Sequence, residues 1–421
     1  MGVKIPFVKE PRMSVSRREF IGMMSAAAAM AGTVGAGCAA EPEPLPPGDD
    51  PLDLRRDFPV VMEGVYLNSP YITPSPQSAV DATIEFLAEK SRNPLKLRPM
   101  LGETLAARQK FARLVNASEG EVGLLSTTSE GENVVTGSLD FEAGDNVVID
   151  DLHYETSYVL YSHLAETRGL DVRIVKNVDG AATPEAFAEL VDDKTKLISV
   201  AWVSHQNGYR HDLKALAELA HAHNAYLYVD AIQGVGMLSL DVKQTGVDFF
   251  TAGTYKWLLG GFGVALFFVS ERVMDLVKPD RIGWRQIEKD LGDHKFELYK
   301  DARKFGFATP AFAAVYQISA GLDYVMKVGV DKIEQHTVAL AKKIHQGLTD
   351  QGFKVLTPSG NQSAIVAFEH GADYEKAQKE VDAAGIQLSF REDNTQIRVG
   401  AALFNNSQEI DQFLEVTGRW R

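Results

Sequence analysis

The apolar positions of this chain fall into short, nearly unbroken runs. Residues 146–150 (NVVID), 197–203 (LISVAWV), 225–229 (AYLYV) and 263–269 (GVALFFV) are each closed or followed by an acid or a hydroxyl. Runs of that length predict strands covered on both faces. Between them the spacing becomes helical. Asp212 can cap a helix whose Leu213, Leu216, Ala217 and Ala220 share one face, and Asn224 can stop it. Alternating strands and helices predict an α/β fold, a mainly parallel sheet with helices on both faces. Ligands of such sheets bind beyond the carboxyl ends of the strands. Past residue 310 the pattern changes. A helix over 311–327 leads to strands at 365–368 (IVAF) and 396–399 (QIRV), which predicts a smaller α+β domain.

The first forty residues follow a different rule. Residues 16–21 (SRREFI) precede an Ala-rich stretch over 22–36, the pattern of a twin-arginine export signal. It implies the twin-arginine translocase as a partner and the periplasm as destination. Gly37 and Cys38 resemble a lipid-attachment site, and cleavage after Ala40 is the other reading. Residues 41–57 are rich in Pro and acids and predict an extended linker. A large domain over 58–310 and a small one over 311–421 complete the expected organisation.

Composition narrows the chemistry. With 421 residues, 45% hydrophobic and 24% charged, the chain can bury one large or two medium cores. A net charge of −14 without clustered Lys or Arg argues against nucleic acid. No apolar run approaches the roughly 18 residues of a membrane span. Cys38 is the only cysteine. Beyond it there is no disulfide framework, no thiolate metal site and no cysteine nucleophile.

The candidate chemistry sits at the predicted strand ends. Lys256 lies in residues 253–257 (GTYKW), 26 positions after Asp230 in 229–233 (VDAIQ). That pairing is the pattern of a pyridoxal 5'-phosphate (PLP) site, a lysine for the Schiff base and an acid for the ring nitrogen. Apolar surroundings lower a lysine pKa, as imine chemistry requires. A turn-capping Asp and a solvated Lys are the plainer readings. Gln233 can donate to the ring oxygen of the cofactor, and Asn207 in 204–208 (SHQNG) can reach the same oxygen. Residues 126–131 (STTSEG) open a helix and offer hydroxyls and N–H groups to a phosphate, or serve as an ordinary cap. His153 can stack on a planar ring or be a core histidine. Arg398, between Ile397 and Val399, needs a carboxylate, from a substrate or from an internal acid. Asn68 precedes Ser69 and Pro70 as a turn residue does.

Taken in order, residues 127–131 (TTSEG), His153, 204–207 (SHQN), 230–233 (DAIQ), 255–257 (YKW) and 397–399 (IRV) resemble the class V aminotransferase family of fold-type I PLP enzymes. The resemblance runs from about Tyr66 to the C-terminus. It implies a mainly parallel seven-stranded sheet and PLP as cofactor. It also implies that Lys256 is the Schiff-base lysine, that Asp230 pairs with the pyridinium and that His153 stacks on the ring. Thr128, Ser129 and Tyr255 would hold the phosphate, Arg398 the substrate α-carboxylate, and Asn68 would lie near the substrate. Thr309, in 307–310 (FATP), would reach the phosphate of a partner subunit, which implies a homodimer with shared sites. The implied reaction starts when Lys256 removes the α-proton of an amino acid or an amino-bearing peptide. Transamination or epimerisation is expected. A C–S or C–C lyase and a periplasmic siderophore- or peptide-tailoring enzyme are the alternatives, with a non-catalytic binding protein as another class. Cysteine desulfurases of the family carry a Cys on the loop before Arg398. Residues 390–396 (FREDNTQ) have none, so the expectation is an enzyme that is not a cysteine desulfurase. Tyr255, where desulfurases have His, points to the isopenicillin-N-epimerase-like and kynureninase-like branch.

Overall fold

The computed structural model describes residues 50–420; the expected export signal, Cys38 and most of the linker lie outside the described residues. The centre is a seven-stranded sheet of β1 (Val122–Leu125), β2 (Asn146–Asp150), β3 (Asp171–Val175), β4 (Thr195–Ala201), β5 (Tyr226–Asp230), β6 (Phe249–Gly253) and β7 (Ala265–Val269). Its order is β1-β7-β6-β5-β4-β2-β3. Strands β3, β2, β4, β5 and β6 are mutually parallel, and β7 runs antiparallel to both β1 and β6.

The unbroken apolar runs are explained by two cores. Along β7, Leu266 and Phe268 join one buried cluster, while Phe267 and Val269 join the other. In β5, Leu227 and Val229 face the first cluster and Tyr228 the second. Side chains alternate across the sheet as the pleat demands, but neither face is wet, so no polar alternation survives in the sequence. Helices α1 (Gln77–Arg92), α2 (Leu97–Leu114), α3 (Thr128–Ser138), α4 (Glu155–Arg168) and α5 (Leu213–Ala222) accompany the sheet. The Asp212 cap forms as expected, its side chain accepting from the Ala215 amide at 3.0 Å.

A second, antiparallel sheet has the order β8-β9-β11-β10, with β8 (Lys354–Val355), β9 (Ile365–Glu369), β10 (Ser389–Arg391) and β11 (Gln396–Gly400). Around it lie α7 (Val330–Asp350), α8 (Tyr374–Ala383) and α9 (Ser407–Gly418). Helix α6 (Phe312–Val328) was expected to open the small domain. Its Ala314, Val315, Ile318 and Leu322 instead join the core of the large sheet, and it packs on α1 and α2. Gly321 permits this seat, since a Cβ there would stand 2.8 Å from the Leu258 carbonyl oxygen.

The N-terminal boundary also moves. The ordered chain begins before Phe58, because Arg55 is buried and donates to Glu409 Oε1 at 2.9 Å and to the Phe404 carbonyl at 2.7 Å. Val65 and Tyr66 then pair in parallel with Ile386 and Gln387. The start of the fold is therefore stitched to α9 and to Ile386 and Gln387, which a linear division at residue 311 does not anticipate.

Candidate active site

A cavity of about 280 Å³ opens at the carboxyl ends of β4, β5 and β6. Its walls include Thr128, Ser129, Glu132, Tyr154, Val203, His205, Asp230, Gln233, Tyr255 and Lys256. Each wall residue arrives for a local reason. Asp230 is the last residue of β5, and Lys256 follows the end of β6 by three positions. Ala201, Val203 and His205 all reach the cavity, every second residue along an extended chain.

Lys256 is only 8% exposed, and burial lowers its pKa to about 8; nearby Arg398 and Arg391 push the same way, against Asp230. Burial raises the Asp230 pKa, while the Ile232 amide (3.0 Å), His153 and Lys256 favour its carboxylate. Helix α3 presents its N-terminus to the cavity. Thr127 caps it by accepting from the Glu130 amide at 3.2 Å, and Thr128 Oγ1 accepts from the Gly253 amide at 3.0 Å. Gly131 is required here: a Cβ would stand 1.8 Å from Thr251 Oγ1 and push the helix off the sheet.

Three of the expected roles meet different geometry. His153 is fully buried and outside the cavity wall. Its Nδ1 accepts from the Tyr154 amide at 2.7 Å, and its Nε2 lies 3.1 Å from Ser199 Oγ. Both polar edges are thus committed to the floor, and Tyr154 is the ring that reaches the cavity. Asn207 is likewise displaced. Its Nδ2 donates to the carbonyls of Gly180 (2.8 Å) and Leu356 (3.3 Å), and its Oδ1 accepts from the Tyr209 amide. The chain turns after His205, so His205 and not Asn207 lines the cavity. Gln233 lines the cavity, but its Nε2 donates to the Pro70 carbonyl and its Oε1 accepts from Trp257 Nε1. One amide proton remains for a ligand.

Tyr255 stacks on Phe262 at 4.5 Å on the cavity wall. Arg398 is 3% exposed and donates from Nη1 to the His205 carbonyl at 2.7 Å, while its Nε has no partner. Among the described residues no acid forms an ion pair with it, and burial together with Arg391 lowers its pKa to about 9. Asn68 bridges to Gly400 and accepts from Ser389 Oγ at 2.5 Å, beside the Arg398 strand and off the cavity wall. Thr309 is exposed and away from this cavity.

Sequence reasoning missed Tyr154, His205, Glu155, Arg391 and Glu132. The two-residue period from Ala201 would have found His205. Glu132 carried no signal; it is buried and accepts from Ser157 Oγ (2.7 Å), Ser199 Oγ (2.7 Å) and Tyr161 OH (2.9 Å).

These features fit PLP. The α3 N-terminus with Thr128 and Ser129 suits its phosphate. Asp230 suits its pyridinium, and a buried lysine of lowered pKa suits its aldehyde. Fold and site define a fold-type I PLP enzyme. The family model described as aminotransferase class-V matches residues 65–413. The chain belongs to the class V aminotransferase family, and PLP is its cofactor.

A probable cysteine desulfurase of Methanothermobacter thermautotrophicus is 29% identical over 384 residues, covering 85% of this chain and 95% of the relative. The fold is shared with the apo cysteine desulfurase of Thermococcus onnurineus, with TM-score 0.80, 23% identity, and 88% and 98% of the two chains covered. It is also shared with the cystine C–S lyase C-DES in complex with cysteine persulfide, with TM-score 0.80, 20% identity, and 86% and 99% covered. These findings overturn the expectation that the chain is not a cysteine desulfurase. The loop over 390–396 does lack cysteine.

Proposed function

We propose that the protein is a PLP-dependent C–S lyase that opens the Cβ–S bond of a sulfur-bearing amino acid. What carries the reading is the identity to a probable cysteine desulfurase along 85% of the chain. Arg398, buried without an acid, holds the substrate α-carboxylate through paired N–H groups. Bound PLP supplies the electron sink for the α-carbanion. Lys256 Nζ, neutral above about pH 8, takes the α-proton. Asp230 keeps a proton on the ring nitrogen, and Thr128 and Ser129 seat the phosphate. Tyr255, which suggested an epimerase-like or kynureninase-like branch, serves here as a wall on the phosphate side. The enzyme works as a homodimer in the periplasm, delivered by the twin-arginine translocase, with Thr309 reaching toward the second site.

The test is incubation with cysteine, cystine and S-substituted cysteines, with products read by mass and chirality. Thiol, sulfide or persulfide released with pyruvate and ammonia is the expected result. A keto acid that keeps the sulfur side chain, or an inverted α-carbon, would overturn it. Arg17→Lys with Arg18→Lys is expected to hold the protein in the cytoplasm. Light scattering is expected to give twice the mass of one chain.

A further inference from the structure

His205 is the wall residue that the chemistry above leaves unused. It is 4% exposed, and neither ring nitrogen has a hydrogen-bond partner. Glu155 Oε1 stands 3.4 Å from its Nε2, too poorly aligned for a hydrogen bond, and Arg391 Nη2 stands 3.9 Å from the same oxygen. Tyr154 meets the imidazole edge-on at 5.1 Å, and Arg398 grips its carbonyl. The charged and titratable groups around it are thus Tyr154 and Glu155 from α4, Arg391 from β10 and Arg398 from β11. An unpartnered buried polar atom costs roughly 1–3 kcal/mol. A histidine that only filled space would be replaced by an apolar side chain at no such cost. Burial is the largest influence on the imidazole and lowers its pKa, which leaves it neutral and able to accept a proton. Once protonated, it faces the Glu155 carboxylate, which stabilises an imidazolium.

We infer that His205 is a second acid–base group of this site, carrying a proton from the substrate ammonium group to the sulfur that leaves Cβ. This rests on the C–S lyase reading. The bookkeeping of atoms closes without an outside reagent. The incoming ammonium gives one proton to the neutral imidazole and becomes a nucleophilic amine. Lys256 takes the α-proton, and the electron pair of that C–H bond becomes the Cα–Cβ π bond. The Cβ–S pair leaves on sulfur, and the imidazolium proton joins it to give a thiol or persulfide. His205 returns to its neutral form, the α-proton held by Lys256 leaves on the nitrogen of the released enamine, which hydrolyses to pyruvate and ammonia, and nothing is oxidised or reduced.

The experiment compares wild type with His205→Asn on S-substituted cysteines of graded thiol pKa and on β-chloroalanine, whose chloride leaves without a proton. His205→Asn is expected to slow both reactions, chloride elimination by roughly tenfold through the lost amine step and thiol release by roughly 10²-fold or more, most for the least acidic thiols. Equal loss on both substrates would overturn the assignment and make His205 structural. Wild type that eliminates chloride but releases no sulfur from any substrate would instead overturn the C–S lyase reading. A readout apart from turnover is the imidazole titration of His205 by NMR in cofactor-free protein. Glu155→Gln is expected to lower that pKa further, and an unchanged titration would remove Glu155 from the proposal. Should His205→Asn not fold, Glu155→Gln on the same substrates keeps the imidazole and is expected to slow thiol release more than chloride elimination; equal loss on both would overturn the assignment.

Discussion

The cavity wall that carries Lys256 and the wall that carries Arg398 treat their polar atoms differently. On the Lys256 side, Thr128 accepts from Gly253, Gln233 is engaged at both ends and Glu132 accepts three hydroxyl protons. On the Arg398 side, Nε of the arginine and both nitrogens of His205 are buried without hydrogen-bond partners. The first wall is finished by the fold itself. The second is completed by what binds. A resident group needs rigid, satisfied surroundings, whereas a transient substrate draws affinity from groups that were left unmet.

That contrast can be broken in four ways. Lys256→Ala should reduce turnover by at least about 10³-fold and remove the visible absorbance of the bound cofactor. Retention of that absorbance would reassign the lysine. Lys256 also shapes stability without the cofactor. Its pKa is about 8 in the fold against the ordinary lysine value of 10.5, so below pH 8 the fold carries a buried charge that the unfolded chain solvates freely. Cofactor-free wild type should therefore trail Lys256→Met most at pH 7. The gap should close by about 3 kcal/mol as pH rises toward 10.5, because the folded lysine then sheds a proton that the unfolded one keeps. Denaturant melts across that range check it, and a constant gap would contradict the burial of this charge. On the other wall, Arg398→Leu should raise KM by roughly 10²-fold, about 2–3 kcal/mol, with a smaller change in kcat. An unchanged KM would remove the arginine from substrate binding. Glu132→Gln should be the mildest, about 1–3 kcal/mol of stability lost from its hydroxyl cluster, with KM little altered. A stability change within error would mean that the cluster re-forms around the amide.

The satisfied wall was the more legible of the two in the sequence. Asp230 and Lys256 follow strands whose apolar runs are unmistakable, and the β-α-β pattern places them at one edge of the sheet. The open wall depends on where the chain turns after β4 and on strands far away in sequence. His205 and Asn207 are two residues apart, and only the bend between them decides which faces the cavity. His153 and Tyr154 are adjacent, and the seat beside Ser199 sends the histidine inward. Arg391 approaches Glu155 across more than two hundred residues, which no local pattern encodes. The exclusion of a cysteine desulfurase failed for a related reason: a missing cysteine is easily seen in a sequence, but it does not redefine a site built from other side chains.

The buried contact of Arg55 with Glu409 spans 354 residues. At roughly 5–20 residues per second of synthesis, the arginine waits on the order of half a minute for its partner. For that interval the Arg55 guanidinium has no acid to meet, and the edge formed by Val65 and Tyr66 waits nearly as long for Ile386 and Gln387. The fold therefore closes from its ends, and its closing step is set by the clock of translation.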